Sequence, residues 1–356
     1  MATSAPSSIR LPRVRALARV PPRVMTTAGL AVITLLSVLI RTQKLGSGLW
    51  VDEGLSFGIA DRPLTDIPGV MRKDGSPPLY YMIVHVWTRT LGVRSEQWLH
   101  ALSLIFAVLA IFAAFALARA LFGVRAGWLA ALLIAFNPYL NQYAQEARMY
   151  SLVVLLSITT VGAFVGAFAL ERGRRWVVGY AVSQVVLLYT HNWGLFLGAG
   201  LTAAWIAMTL IAEGEARRAL IRAGLTAAGI ILVLYAPWLP TLAYQAAHTG
   251  APWANSPSST DLISVPRHLL GYTAQWLLVI GGGAAILALV RGPARRWPAE
   301  GRAVLVLILA LVVAMGVPWL LSQSNPAWAL RYEAVGVAPL ILLAARGAAR
   351  AGMTGL

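Results

Sequence analysis

Cysteine is absent from the 356 residues. That excludes disulfides, thiolate nucleophiles and cysteine-based metal sites. Charge is scarce as well: 12% of residues are Asp, Glu, Lys or Arg, where soluble domains carry roughly 25%. Acids are the rarer sign, 13 against 29 Lys plus Arg, and there are five histidines. No Gly-x-x-x-x-Gly-Lys loop is present to cradle a nucleotide phosphate. With no segment that reads as a cytosolic domain, energy from ATP or a sugar nucleotide is not expected.

What the chain does have is apolar length, 58% of it hydrophobic. A spanning helix needs ~20 mostly apolar residues, with ~17 as the lower limit. On that rule the spans are Met25–Ile40, Trp98–Leu117, Ala126–Leu140, Met149–Leu170, a pair within Trp176–Ala212, Ala223–Leu239, Leu269–Val290, Ala303–Leu321 and Tyr332–Ala345. The sequence therefore predicts an all-α polytopic membrane protein with about ten transmembrane helices. Residues 1–24, basic and without acids, read as a disordered cytosolic tail. Residues 25–346 form the transmembrane domain, and 347–356 a short cytosolic tail. Within that domain, 41–97 is a long first outer loop, too polar for a simple span. Its stretch Pro77 to Gly92 opens on Pro-Pro, a preorganised helix start. It reads as an interfacial helix, with Tyr80, Tyr81 and Trp87 at headgroup depth.

The net charge of +16 sets orientation and meets anionic headgroups rather than nucleic acid. With a cytosolic N-terminus, 19 of the 29 basic residues fall inside. Seven more lie in the long first loop, and the short outer connections hold only Arg148, Arg267 and Arg331. This positive-inside pattern predicts both termini inside. Acids invert it. Only Glu171, Glu213, Glu215 and Glu300 fall inside, so nine acids and all five histidines gather on the outer face.

On that face Asp52 and Glu53 form a vicinal pair directly after the first span. A solvated loop pair is the plain reading. If instead they are partly buried, like-charge repulsion raises one pKa of the two. Arg148, in Gln145-Glu146-Ala147-Arg148-Met149-Tyr150, and Arg331, in Leu330-Arg331-Tyr332, stand at the entrances of spans. Interfacial snorkelling accounts for such arginines. So does phosphate binding, because the guanidinium fork donates two parallel hydrogen bonds. Arg267, beside His268, fits snorkelling better. His191 lies in the turn Tyr189-Thr190-His191-Asn192-Trp193, where a structural role is the simpler account. Asp74-Gly75-Ser76-Pro77-Pro78 reads as a turn, and His85 and His100 as packing or interfacial residues. No His/Asp/Glu spacing defines a metal site; Asp74, His85 and Glu96 are the one imaginable ligand set.

Taken in order, Leu-Trp-Val-Asp-Glu after the first span, Asp-Gly-Ser-Pro-Pro-Leu-Tyr-Tyr, Asn-Pro-Tyr-Leu-Asn-Gln-Tyr-Ala-Gln-Glu-Ala-Arg-Met-Tyr, Tyr-Thr-His-Asn-Trp and the late Arg-Tyr resemble the GT-C superfamily of membrane glycosyltransferases. The similar branch is the bacterial one akin to protein O-mannosyltransferases and lipid A aminoarabinose transferases. The resemblance runs from Met25 to about Ala345. It implies a polyprenyl-phosphate sugar donor used at the extracytoplasmic face of the bacterial inner membrane. Asp52 would be the general base on the acceptor hydroxyl, with Glu53 as its neighbour. Arg331 and Tyr332 would meet the donor phosphate. Arg148, Tyr150 and Glu146 would line the same cavity, and His191, Asp74, Pro77 and Pro78 count as further binding residues. The sugar stays open, as does the acceptor (glycan, lipid or protein), and so does help from a divalent cation; no other cofactor is expected. Many relatives carry a soluble C-terminal domain or extra spans, and no such segment is legible here. A flippase for a lipid-linked sugar is an alternative, as is a non-catalytic subunit of a cell-envelope glycan complex. A flippase would need polar groups deep in several spans, where Gln184 is among few.

Overall fold

The computed structural model describes residues 22–92, 94–251, 253–272 and 299–351. Among the described residues the chain is helical throughout, with no strand. In lipid, helices satisfy every backbone donor and acceptor within their own segment. Helix α1 (Pro22–Arg41) is followed by three short helices, α2 (Val51–Ala60), α3 (Ile67–Asp74) and α4 (Leu79–Leu91). Next come α5 (Glu96–Phe122) and α6 (Val124–Ala135), then the short α7 (Pro138–Tyr143), capped by the Asn137 side chain on the Leu140 amide. Helix α8 (Tyr150–Phe164) continues through a π-helical turn, Val165–Ala169. The run goes on with α9 (Arg174–Thr190), α10 (Gly194–Ile211), α11 (Gly214–Tyr235) and α12 (Leu239–His248). Residues 259–272 are helical (α13). Helix α14 (Ala299–Leu321) and the 3-10 segment Leu330–Gly336 lead into α15 (Val337–Ala351).

Two segments form the centre of the bundle. Tyr150–Ala169 is 83% and Leu330–Arg350 89% buried within the protein, against 6% for the peripheral α1. Helix α8 is apolar on all faces, which suits a central position. Small residues let the backbones close. A Cβ at Gly200 of α10 would lie 2.9 Å from the Cα of Ala310 of α14, so that crossing tolerates no larger side chain. At the end of α3, Gly75 adopts φ +94°, the left-handed conformation that closes a helix with least strain at glycine.

Among the described residues, seven helical segments are long and apolar enough to cross a membrane: Arg23–Arg41, Glu96–Phe122, Tyr150–Ala169, Gly194–Ile211, Gly214–His248, Ala299–Leu321 and Leu330–Arg350. The chain is thus a multi-pass membrane protein, and the expected count of ten is not reached among the described residues. The predicted span Ala126–Leu140 breaks where Asn137-Pro138 caps a new helix, leaving α6 with 12 residues. Helix α9 has 17 residues. Most of the predicted span Leu269–Val290 lies outside the described residues, as do residues 1–21. The predicted outer loop holds α2, α3 and α4, and Tyr80 and Tyr81 of α4 are buried within the protein.

Candidate active site

Helix α2 begins on the acidic pair. Carboxylates are stabilised in the first turn of a helix, and here each takes a different direction. Glu53 is buried. Its Oε2 accepts from the Trp50 amide at 3.0 Å, closing the helix N-terminus, and its Oε1 accepts from the Ala147 amide at 2.7 Å. The same oxygen meets His100 Nε2 at 3.0 Å, while His100 Nδ1 faces the Leu45 carbonyl at 2.8 Å. Both ring nitrogens thus face acceptors, and the network is complete when the imidazole carries both protons. Burial by itself would raise the Glu53 pKa, but the bonds from His100, Ala147 and Trp50 outweigh it, and the carboxyl lies below its ordinary range. Glu53 therefore runs opposite to the rise expected for a crowded acidic pair. It ties α2 to α5 and to the link that carries Arg148. Breaking a buried pair from one side costs about 3 kcal/mol. Glu53→Gln is accordingly expected to lower the melting temperature by several degrees in detergent; an unchanged melting curve would remove this scaffold role.

Asp52 points the other way and is part exposed. Its Oδ2 lies 3.9 Å from Arg148 NH2 and 3.8 Å from Arg331 NH1. Arg148 comes from the link between α7 and α8, and Arg331 from the 3-10 segment before α15. Arg148 is fixed by NH1, which donates to Ser56 Oγ at 2.8 Å and to the Asp52 carbonyl at 3.1 Å. Arg331 lies over the Trp253 ring, 4.6 Å from its centroid, and its carbonyl accepts from the Tyr139 hydroxyl at 2.6 Å. The Nε of each arginine is buried without a hydrogen-bond partner. Buried donors left unpaired cost free energy, and two guanidinium groups facing one carboxylate leave a local charge of about +1. The next acid to feel both guanidinium groups is Glu146.

Aromatic rings wall this centre. Tyr150, His191 and Tyr332 lie together, with centroids 5.9 Å apart between Tyr150 and His191 and 5.2 Å between His191 and Tyr332. Trp193 stands 5.5 Å from Tyr332. His191 Nδ1 accepts from the Trp193 amide, and burial, with Arg148 and Arg331 nearby, pulls its pKa down to about 3. The imidazole is neutral and serves as wall rather than proton carrier. An unfolded chain would bind a proton there between its ordinary value of about 6.5 and about 3, so this contribution to stability is present above that window and is lost as pH falls through it. Glu53, also depressed, adds loss of the same sign at lower pH. The His191 contribution to melting temperature is therefore expected to fall on acidification from about pH 7 to about pH 4, opposed in part by Glu146, whose raised carboxyl pKa acts with the other sign. A His191→Asn protein should show a shallower decline, and an identical slope would contradict the buried neutral ring.

The remaining expected residues stand nearby in different roles. Glu146 is half-buried, burial raises its carboxyl pKa, and it accepts from Gln142 Nε2 at 3.3 Å. The Asp74–Pro78 turn is a brace: the Gly75 carbonyl accepts from Asn192 Nδ2 at 2.8 Å, and the Ser76 carbonyl from Gln245 Nε2 at 3.2 Å. Pro77 and Pro78 are buried and Asp74 is exposed. Asp74, His85 and Glu96 form no metal-ligand group, and among the described residues no three His, Asp or Glu side chains do. Pro78 also lines an apolar cleft of about 600 Å³ with Tyr189 and Trp238. Sequence reading missed His100, Ser56, Tyr139 and Trp253 as partners of the site. Only their outer-face position hinted at them.

An all-α membrane bundle with an acid–arginine centre at one end defines the class. No family model matches the sequence, nor does any curated protein. Solved structures match in fold. ArnT from Cupriavidus metallidurans in the apo state aligns with a TM-score of 0.64 and 16% identity, over 90% of this chain and 59% of that one. The same protein bound to undecaprenyl phosphate gives 0.57 and 16%, over 90% and 60%. The archaeal oligosaccharyltransferase AglB from Archaeoglobus fulgidus, in complex with an inhibitory peptide and a dolichol-phosphate, gives 0.65 and 12%, over 91% and 50%. The chain therefore shares its fold with these membrane proteins, and spans half to three-fifths of their length.

Proposed function

We propose that this protein is a GT-C type glycosyltransferase that moves a monosaccharide from a polyprenyl-phosphate donor to a hydroxyl acceptor at the extracytoplasmic face, with both termini cytosolic. One observation carries the reading: Asp52 lies between two guanidinium groups whose Nε donors are buried and unpaired. A phosphodiester bears one negative charge and suits two such groups. The undecaprenyl phosphate and dolichol-phosphate in the two neighbours' structures support a lipid phosphate of this kind.

In the proposed step the acceptor oxygen attacks the anomeric carbon while Asp52 takes its proton. The bond from that carbon to the phosphate oxygen breaks, and its electron pair leaves with the phosphate. A positioned base is worth about 10²–10⁴-fold in such a step. The leaving phosphate gains a second negative charge, which Arg148 and Arg331 stabilise in a low-dielectric setting. Attack from the face opposite the phosphate gives a single displacement with inversion. The test is transfer in lipid nanodiscs from a panel of polyprenyl-phosphate hexoses and pentoses, with the anomeric configuration of the product read by NMR. Transbilayer movement of the donor without sugar transfer would favour a flippase instead.

A further inference from the structure

The end of the bundle opposite Asp52 holds a second concentration of arginine. Helix α8 starts beside the site at Tyr150 and ends near Glu171; α9 starts at Arg174 and ends at His191. At this far end most of the acids already have cationic partners. Glu171 pairs with Arg302 at 2.8 Å, Glu215 with Arg218 at 3.0 Å, and Glu300 with Arg346 at 2.9 Å and with Arg350. Arg172 donates to the Ala120 carbonyl. Arg174 and Arg222 are different: both are exposed, and neither has an acidic partner among the described residues. They flank one cleft of about 680 Å³ between α9 and α11, whose wall is built from Val177, Ala219, Leu220 and Ala223. Alanines make the space, and Glu171 at its edge is already neutralised by Arg302.

We propose that this cleft binds an anionic phospholipid of the surrounding leaflet. Its headgroup phosphate would sit between Arg174 and Arg222, with the start of an acyl chain against the alanine face of α11. Basic pockets between transmembrane helices take anionic headgroups in this way. A zwitterionic lipid fits less well, because its own cation would meet two guanidinium groups. The site lies at the end of α9 remote from His191, so the lipid would brace that helix and would not enter the site.

The test needs no transfer assay and is independent of the proposed reaction. Detergent-purified protein is titrated with phosphatidylglycerol and with phosphatidylcholine of the same acyl chains, reading retained lipid by native mass spectrometry and melting temperature. Phosphatidylglycerol should be retained and raise the melting temperature, and phosphatidylcholine should not. With about 1 kcal/mol per basic residue at a surface, R174Q or R222Q should weaken phosphatidylglycerol binding about fivefold, and the double variant about 30-fold. R175Q/R217Q removes as many charges from the same two helices but none from the cleft, and should leave the affinity unchanged. Equal binding of both lipids, wild-type affinity in R174Q/R222Q, or an equal loss in R175Q/R217Q would each overturn the site. If the double variant cannot be purified, the two single variants decide.

Discussion

An Asp52→Asn protein should fold with nearly wild-type stability and lose sugar transfer by about 10²–10⁴-fold, almost all of it in kcat. Stability is largely spared because the contacts of the carboxylate to the two arginines are long, 3.8 and 3.9 Å, beyond hydrogen-bond distance. Asparagine keeps the shape and removes the proton acceptor. It also removes the one negative charge between Arg148 and Arg331, so the donor phosphate should bind at least as tightly as before. An unchanged or lower donor KM beside a collapsed kcat is the signature of a lost base rather than a lost binding group. Steady-state kinetics with donor varied checks both halves. A variant that turns over at the wild-type rate removes Asp52 from the chemistry. The contrast with Glu53→Gln sharpens the test, since that neighbour is expected to fail in stability.

That contrast was not legible in the chain. Vicinal Asp52 and Glu53 are equivalent as letters, and only helical geometry separates them: successive positions on α2 face about 100° apart, one toward Arg148 and Arg331 and one toward His100. The buried Glu53–His100 contact joins residues 47 apart, and no local pattern announces such a pairing. The burial of Tyr80 and Tyr81 was hidden for a related reason. Aromatic residues suit a membrane interface and a protein core equally, and the sequence does not say that one face of α4 packs against the rest of the bundle. What was legible rested on long-range bias. The excess of apolar length marked the membrane bundle, and the three arginines out of keeping with the charge asymmetry included both that flank Asp52. Span counting failed where a polar cap interrupts an apolar run, as at Asn137-Pro138, because composition alone does not register the break.

Arg331→Ala should cost about 10²–10³-fold in kcat/KM, the scale of losing one preorganised donor to a developing anion. The substrate phosphate starts as a monoanion and leaves as a dianion, so a group that only binds it would raise KM, whereas one that stabilises departure lowers kcat too. Both effects are expected here. Arg331→Lys keeps the charge but loses the planar fork and the stacking on Trp253, so it should recover only part of the rate. The decisive comparison varies the leaving group. A donor with a more acidic phosphate needs less help in departing, and the deficit of Arg331→Ala should shrink with it. An Asp52→Asn deficit should shrink far less, because the acceptor proton still needs a base. If the Arg331→Ala deficit stays constant across donors, the arginine holds the lipid phosphate without easing its departure. In that case charge stabilisation would fall to Arg148, which Ser56 and the Asp52 carbonyl already hold in place.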